Sequence, residues 1–97
     1  MSCRRYIVAY DIRNPNRLRR VHKTMKTFGY SMQYSVFICD LDNMEKYDLL
    51  GQIGDIINHS VDSIAIMDLG EADHRGKECF EFMGAHQALR QRGPQIV

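Results

Sequence analysis

The residue with the clearest chemical potential is Asp11, the only charged side chain in the apolar run 6–12. It ends a predicted strand just before a predicted helix, a position where ligands and metal ions commonly bind. A carboxylate there could hold Mg²⁺ or Mn²⁺, and the ion could activate water or stabilise charge on a scissile phosphate. Because one carboxylate is a poor metal site, we expect a two-fold axis to bring together Asp11 from two copies. The alternative is that Asp11 only caps the turn formed by residues 13–15.

Basic side chains are concentrated in the first part of the chain. Residues 1–39 hold eight arginines and lysines against one acid, and residues 40–97 hold five against eleven, giving net charges of +7 and −6. Arginine binds phosphate with forked, permanently charged donors, and such contacts give salt-dependent affinity without sequence readout. The candidate phosphate-binding residues are Arg4, Arg5, Arg13, Arg17, Arg19 and Arg20. The charge pattern alone is equally consistent with solvated faces that happen to segregate.

The elements that must position these residues follow from periodicity and from end signals. Residues 5–12 alternate in the manner of a strand. Asn14 and Pro15 are typical of a helix start, and Gly29 is typical of its end. Residues 31–41 are strongly β-prone, either as one long strand or as two short strands around a tight turn.

The second half of the chain predicts another helix and two more strands. Asp42 and Glu45 stand at capping-box spacing before the helix. We expect Gly51 and Gly54 to let this helix approach the sheet closely, since each otherwise weakens a helix by about 1 kcal/mol. The further strands are predicted over residues 61–69 and 79–83.

This element order predicts an α+β fold, a ferredoxin-like βαββαβ sandwich with an extra C-terminal strand and two helices on one sheet face. Residues 1–97 are interpreted as a single domain with a small core. Because the other sheet face needs covering, we predict a homodimer in which residues 84–97 contact the partner protomer. The tyrosines are expected in the core or the interface rather than as platforms for stacking bases: Tyr6, Tyr10, Tyr30 and Tyr34.

Composition indicates the class of protein and its compartment. No apolar run approaches the ~18 residues of a membrane span, and no signal peptide is recognised. Three cysteines without a CxxC pair and four scattered histidines argue against a zinc site. We therefore expect reduced thiols and a cytoplasmic protein that does not bind membranes.

Several short segments together carry a family resemblance. They are Tyr10-Asp11-Ile12 at the end of the first strand, Arg17, Arg19 and Arg20 ahead of Val21, Phe28-Gly29-Tyr30, and Gln33-Tyr34-Ser35-Val36-Phe37. In this order and at these spacings they resemble the CRISPR-associated Cas2 family, the small partner of the CRISPR integrase. The resemblance extends over essentially the whole chain.

The resemblance implies a ferredoxin-like homodimer packed through its sheet faces. It also implies a metal-dependent endonuclease activity on RNA or DNA, centred on Asp11 with Mg²⁺ or Mn²⁺, and a role with the CRISPR-associated integrase in acquiring new spacers. Contact with nucleic acid, or shaping of the site, is implied for Tyr10, Arg17, Arg19, Arg20, Ser35 and Phe37.

Three functions are left open by the sequence. The first is a metal-dependent phosphodiesterase that uses paired Asp11 carboxylates. The second is a scaffold without catalysis that bridges two copies of the CRISPR integrase and holds duplex DNA, with Asp11 as a structural residue. The third is a toxin-type ribonuclease on a related fold.

Overall fold

Seven elements make up the described part of the chain, which is residues 3–85 of the computed structural model. In chain order they are β1 (Arg4–Asp11), α1 (Pro15–Phe28), β2 (Tyr30–Gln33), β3 (Val36–Leu41), α2 (Asn43–Ile56), β4 (Ser63–Glu71) and α3 (Arg75–Glu78). The first six elements appear in the predicted order. No helix within this part of the chain has the length and apolar character needed to cross a bilayer.

The strands form one antiparallel sheet in the order β2-β3-β1-β4, so the first strand is central. The helices α1 and α2 cover one face of this sheet, and the arrangement confirms the predicted ferredoxin-like α+β class. Asp11, the last residue of β1, consequently lies at the end of a strand with a neighbour on each side.

The hydrophobic core lies between the sheet and the two long helices. Val21 and Met25 of α1 are fully buried in it, together with Leu49 and Ile53 of α2. The helix starts follow the predicted signals: Asn14 caps α1, and Asp42 with Glu45 forms a capping box at α2. The sheet contributes side chains that alternate along its strands: Tyr6, Val8, Tyr10, Phe37, Cys39 and Leu41.

The opposite face of the sheet, called here the open face, carries the other alternate residues. The register pairs Ile7 with Met67 and Ala9 with Ala65, and it places Asp11 at one end of the same face. Met67 is 46% exposed and Ala65 is exposed too. This apolar face is therefore only partly covered by the described residues.

The β-prone residues 31–41 form two strands, so the hairpin alternative is correct. Tyr34 and Ser35 make the connection, and Ser35 has φ 58°, in the left-handed region that a side chain rarely adopts. The backbone N–H of Tyr10 donates to the Ser35 carbonyl oxygen at 3.1 Å, which ties the turn to β1. The turn thus lies against the end of the strand that carries Asp11.

The expectation that Gly51 and Gly54 allow close approach to the sheet is wrong. A Cβ at either position would meet no atom within 4 Å outside its own stretch of helix. The close approach occurs instead at Gly29, where a Cβ would collide with the backbone oxygen of Ile38 and lie 2.7 Å from Cys39 Sγ. Gly29 therefore ends α1 at the predicted place because the chain there passes directly against β3.

The predicted strand over residues 79–83 is also wrong, since residues 79–85 form no strand. The pairing of β1 with β4 shifts register near its end, and Gly70 adopts φ 92° there. The chain then turns into α3, and Gly76 packs so closely on Arg5 that a Cβ would lie 2.7 Å from Arg5 Cβ. The chain has therefore turned away from the sheet before residue 79, so residues 79–83 do not extend it.

The segment after α3 makes a local contact of its own. The rings of Phe80 and Phe82 stack with their centroids 5.8 Å apart. The remainder of the predicted C-terminal strand and partner contact, residues 86–97, lies outside the described residues.

Candidate active site and nucleic-acid interface

Asp11 lies on the open face with its side chain 67% exposed. The nearest charged group is Arg13, whose Nη2 lies 3.5 Å from Asp11 Oδ2. An ion pair as long and exposed as this contributes little to stability. The Asp11 carboxylate therefore remains accessible to a ligand approaching the open face.

The turn after β1 is capped by residues other than Asp11. Asn14 Oδ1 accepts the backbone N–H groups of Asn16 and Arg17 at 2.9 and 3.0 Å. Asp62 Oδ1 accepts the backbone N–H of Arg13 at 2.9 Å. The capping role considered for Asp11 is thus filled by Asn14 and Asp62.

Asp62 also holds α1 to the start of β4. Its fully buried carboxylate accepts Arg17 Nε at 2.7 Å and Arg17 Nη2 at 3.1 Å, and the backbone N–H of Asn58 at 2.8 Å. The hydrogen bond from Arg17, helped by those from the Arg13 and Asn58 backbones, keeps the pKa of Asp62 well below its usual range. The geometry gives Arg17 a structural role and does not support its predicted contact with nucleic acid.

The two N-terminal arginines are engaged as well. Arg5 donates from Nε and Nη2 to the carboxylate of Asp40 at 2.7 and 2.8 Å, in a buried pair across neighbouring strands. Its Nη1 donates to the carbonyl oxygen of Gly76 at 3.2 Å. Arg4 Nε lies 2.9 Å from Asp68 Oδ2 at the surface. The prediction that Arg5 binds phosphate is therefore wrong, and Arg4 already has a carboxylate partner.

Four exposed basic side chains of α1 have no acidic partner among the described residues, and α1 itself contains no acid. They form the surface called here the basic face of α1: Arg19, Arg20, Lys23 and Lys26. Part of the charge asymmetry seen in the sequence is neutralised by the fold, because three other arginines pair with acids from residues 40–97. The remaining positive charge is concentrated on this one helix.

A pocket of about 460 Å³ lies between α1 and the hairpin that joins β2 to β3. Arg19, Lys23 and Lys26 line its helix side, and Tyr34 and Ser35 line its hairpin side. Three of the predicted nucleic-acid residues, Tyr10, Arg19 and Ser35, therefore border the pocket, together with others that the sequence did not indicate.

The inner part of the pocket is built around Tyr10 and His22. The Tyr10 hydroxyl lies 2.9 Å from His22 Nδ1, within hydrogen-bonding distance. Burial raises the pKa of the Tyr10 phenol, so this hydroxyl keeps its proton at neutral pH. Phe37 packs behind both rings, with centroids 6.2 Å from Tyr10 and 5.4 Å from His22. Because Phe37 is buried, it can shape the pocket but cannot contact nucleic acid from this position.

Several residues of this pocket were missed by the sequence analysis as site residues. Lys23 and Lys26 follow Arg19 at spacings of four and seven, which on a helix gives one stripe, and that signal could have found them. Tyr34, expected in the core or the interface, is not in the core, since it lies 84% exposed at the hairpin tip, whereas Tyr10 is buried as expected. The exposure of Tyr34 depends on a turn that the sequence could not distinguish from a continuous strand.

A metal ion fits Asp11 only with help from elsewhere. No group of three or more histidine, cysteine, aspartate or glutamate side chains suited to a metal occurs within residues 3–85. The carboxylate oxygens are the type of ligand that Mg²⁺ and Mn²⁺ prefer, but one carboxylate supplies too few of them. A second copy of the chain could supply a second carboxylate on the same open face.

Fold and charge together define a small ferredoxin-like protein with one partly exposed sheet face and a basic first helix. The family model for CRISPR associated protein Cas2 matches residues 4–76. A protein of Geobacter sulfurreducens named CRISPR-associated endoribonuclease Cas2 is 48% identical over 69 residues, covering 71% of this chain and 73% of the relative. This chain therefore belongs to the Cas2 family.

Two solved structures show the same fold over most of the chain. Streptococcus pyogenes Cas2 superposes with a TM-score of 0.72 at 30% identity, covering 82% of this chain and 99% of the other. A hypothetical protein from Thermus thermophilus gives a TM-score of 0.76 at 28% identity, covering 89% and 96%. The four-stranded sheet and its two helices are thus shared with these proteins.

Proposed function

We propose that this protein is a homodimeric, metal-dependent endonuclease that cleaves phosphodiester bonds of RNA or DNA in CRISPR adaptation. The observation that carries the proposal is the Asp11 carboxylate, which ends the central strand exposed on the open face while other side chains cap the adjacent turn. Membership of the Cas2 family supports the choice of chemistry, since the Geobacter relative is named an endoribonuclease.

The homodimer completes the site. The open face is apolar around Ile7, Ala9 and Met67, and covering it with a second copy buries that surface. In an isologous contact the same residues of both copies take part, so each copy contributes one Asp11. The paired carboxylates would hold Mg²⁺ or Mn²⁺, which when bound supplies positive charge for activating water and for stabilising the scissile phosphate.

The chain's own cations position the substrate. Arg13 lies beside Asp11 and is exposed, so it can bind a phosphate next to the one that is cleaved. Arg19 and Arg20 on the basic face of α1 add contacts along the backbone of the nucleic acid. Hydrolysis breaks one P–O ester bond and adds the elements of water across it, leaving one phosphate end and one hydroxyl end.

The scaffold function is the second candidate. It is favoured by the lack of any group of three or more metal-ligating side chains within residues 3–85, while the basic face of α1 needs no metal to bind a duplex. In either case we propose the CRISPR-associated integrase as a partner, on the strength of the family membership. Co-elution of the two purified proteins in gel filtration tests that partnership.

The test is cleavage of single-stranded RNA and duplex DNA by wild type and Asp11→Asn, with Mg²⁺, with Mn²⁺ and with a chelator. Asp55→Asn, on the exposed side of α2, is the matched control. We expect metal-dependent cleavage by wild type and the control, and none by Asp11→Asn, with duplex binding retained in all three. Salt-sensitive binding without cleavage by any protein would instead establish the scaffold function.

A further inference from the structure

The pocket between α1 and the hairpin combines three features: its volume, its positive charge and an exposed aromatic ring. Its volume of about 460 Å³ falls in the range of small-molecule sites. Three cations and no acid line it, and an aromatic ring stands exposed at its hairpin side. Such a combination is complementary to a ligand with a flat apolar part and negative charge.

The polar atoms inside the pocket are partly available. His22 Nδ1 is engaged with the Tyr10 hydroxyl, but His22 Nε2 has no hydrogen-bond partner within residues 3–85. Ser35 also lines the pocket, but its side chain is hydrogen-bonded to the Tyr10 hydroxyl. His22 Nε2 can act as a donor or an acceptor toward the edge of a planar heterocycle.

We propose that this pocket binds one unpaired nucleobase of a single-stranded nucleic acid, with Tyr34 stacking on the base and Arg19, Lys23 and Lys26 holding the flanking phosphates. The choice of ligand rests on the proposed function, and it adds a site that cleavage at Asp11 does not need. Base stacking on an aromatic ring tolerates every base, and unpaired bases are the ones available for it. A duplex keeps its bases stacked inside and can offer this pocket only phosphates.

The pocket also has a defined relation to Asp11. Tyr10 and Asp11 are consecutive residues of β1, so their side chains lie on opposite faces of the sheet at the same end. A base held on the Tyr10 side therefore anchors the nucleic-acid strand next to the end of β1. The nucleic acid must pass around that edge of the sheet to reach the open face. The pocket would position single-stranded substrate without taking part in the chemistry.

The test compares two ten-nucleotide single strands that differ only in whether their central four positions carry bases or are abasic. Backbone charge is the same in both, so a difference in affinity reports on base contacts. We expect wild type to bind the base-bearing strand about tenfold more tightly, and Tyr34→Ala to abolish that difference while binding the abasic strand as wild type does. Tyr34→Trp should retain it.

Matched variants separate the pocket from other surfaces. Tyr47→Ala removes an equally exposed tyrosine from α2 and should leave the difference unchanged. Lys23→Gln should weaken binding of both strands equally and lower the salt dependence. Equal affinity of wild type for the two strands, or an unchanged difference in Tyr34→Ala, would overturn the proposal.

Asp11→Asn distinguishes this proposal from the proposed function. If that variant loses cleavage and keeps the preference for the base-bearing strand, both proposals stand. If wild type prefers the base-bearing strand but never cleaves, the pocket stands and the nuclease proposal fails.

Discussion

At the scale of single residues, Asp62 links the end of β1 to the start of α1. Its buried carboxylate receives four hydrogen bonds, two from the Arg17 side chain and two from the backbones of Arg13 and Asn58. We predict that Asp62→Asn lowers the melting temperature at pH 7 by several degrees, because an amide cannot accept all of these donors. Thermal unfolding by circular dichroism measures this, with Asp55→Asn as the control that should melt like wild type.

The same carboxylate predicts a pH dependence of stability. Because the pKa of Asp62 is lowered in the folded state, the ionised carboxylate stabilises the fold at pH values above the unfolded pKa of about 3.9. This stabilisation is lost as pH falls through the folded pKa. The difference in melting temperature between wild type and Asp62→Asn should therefore shrink progressively below about pH 4. A difference that stays constant from pH 7 to pH 2 would contradict this assignment.

At the scale of elements, the exposed side of α2 carries glycines that no neighbour requires. Gly51→Ala and Gly54→Ala should each stabilise the protein by up to about 1 kcal/mol, since alanine favours the helix and restricts the unfolded chain. Gly29→Ala should instead destabilise it by about 1–3 kcal/mol, because its methyl group meets the backbone of β3. Denaturant midpoints measure all three. Destabilisation by both α2 variants would show that this helix face is packed against something.

The helix starts were predicted well, because they depend on residues that are neighbours in the sequence. Asn14 and Pro15 start α1 as expected, and the capping box at Asp42 starts α2. The turn at Tyr34 and Ser35 could not be predicted, because neither residue is typical of a two-residue hairpin. The false strand over residues 79–83 has a distant cause, the packing of Gly76 on Arg5.

The candidate site was predicted in outline only. Asp11, Arg19 and Arg20 were proposed as site residues from their types and positions, and their roles stay predictions. The engagement of Arg17 with Asp62, and the burial of Phe37, depend on contacts between residues far apart in the chain, so the sequence could not assign these roles. The pocket was missed for the same reason, because the hairpin completes it.

At the scale of the whole molecule, the open face predicts a dimer. Met67→Asp places a charge on that apolar face, beside Ile7, and should give a monomer, because burying an unpaired carboxylate is costly. Wild type should have twice the mass of the chain by light scattering at micromolar concentration. Met44→Asp, on the exposed side of α2, is the control and should stay dimeric. A monomeric wild type would contradict a site shared between Asp11 of two copies.

The most direct test of the shared site is the stoichiometry of Mn²⁺ binding, measured by isothermal titration calorimetry on wild type and Asp11→Asn. We predict one ion for every two chains of wild type and none for Asp11→Asn, with Asp55→Asn behaving as wild type. Binding of one ion per chain, or equal binding by wild type and Asp11→Asn, would contradict a metal site built from two Asp11 carboxylates.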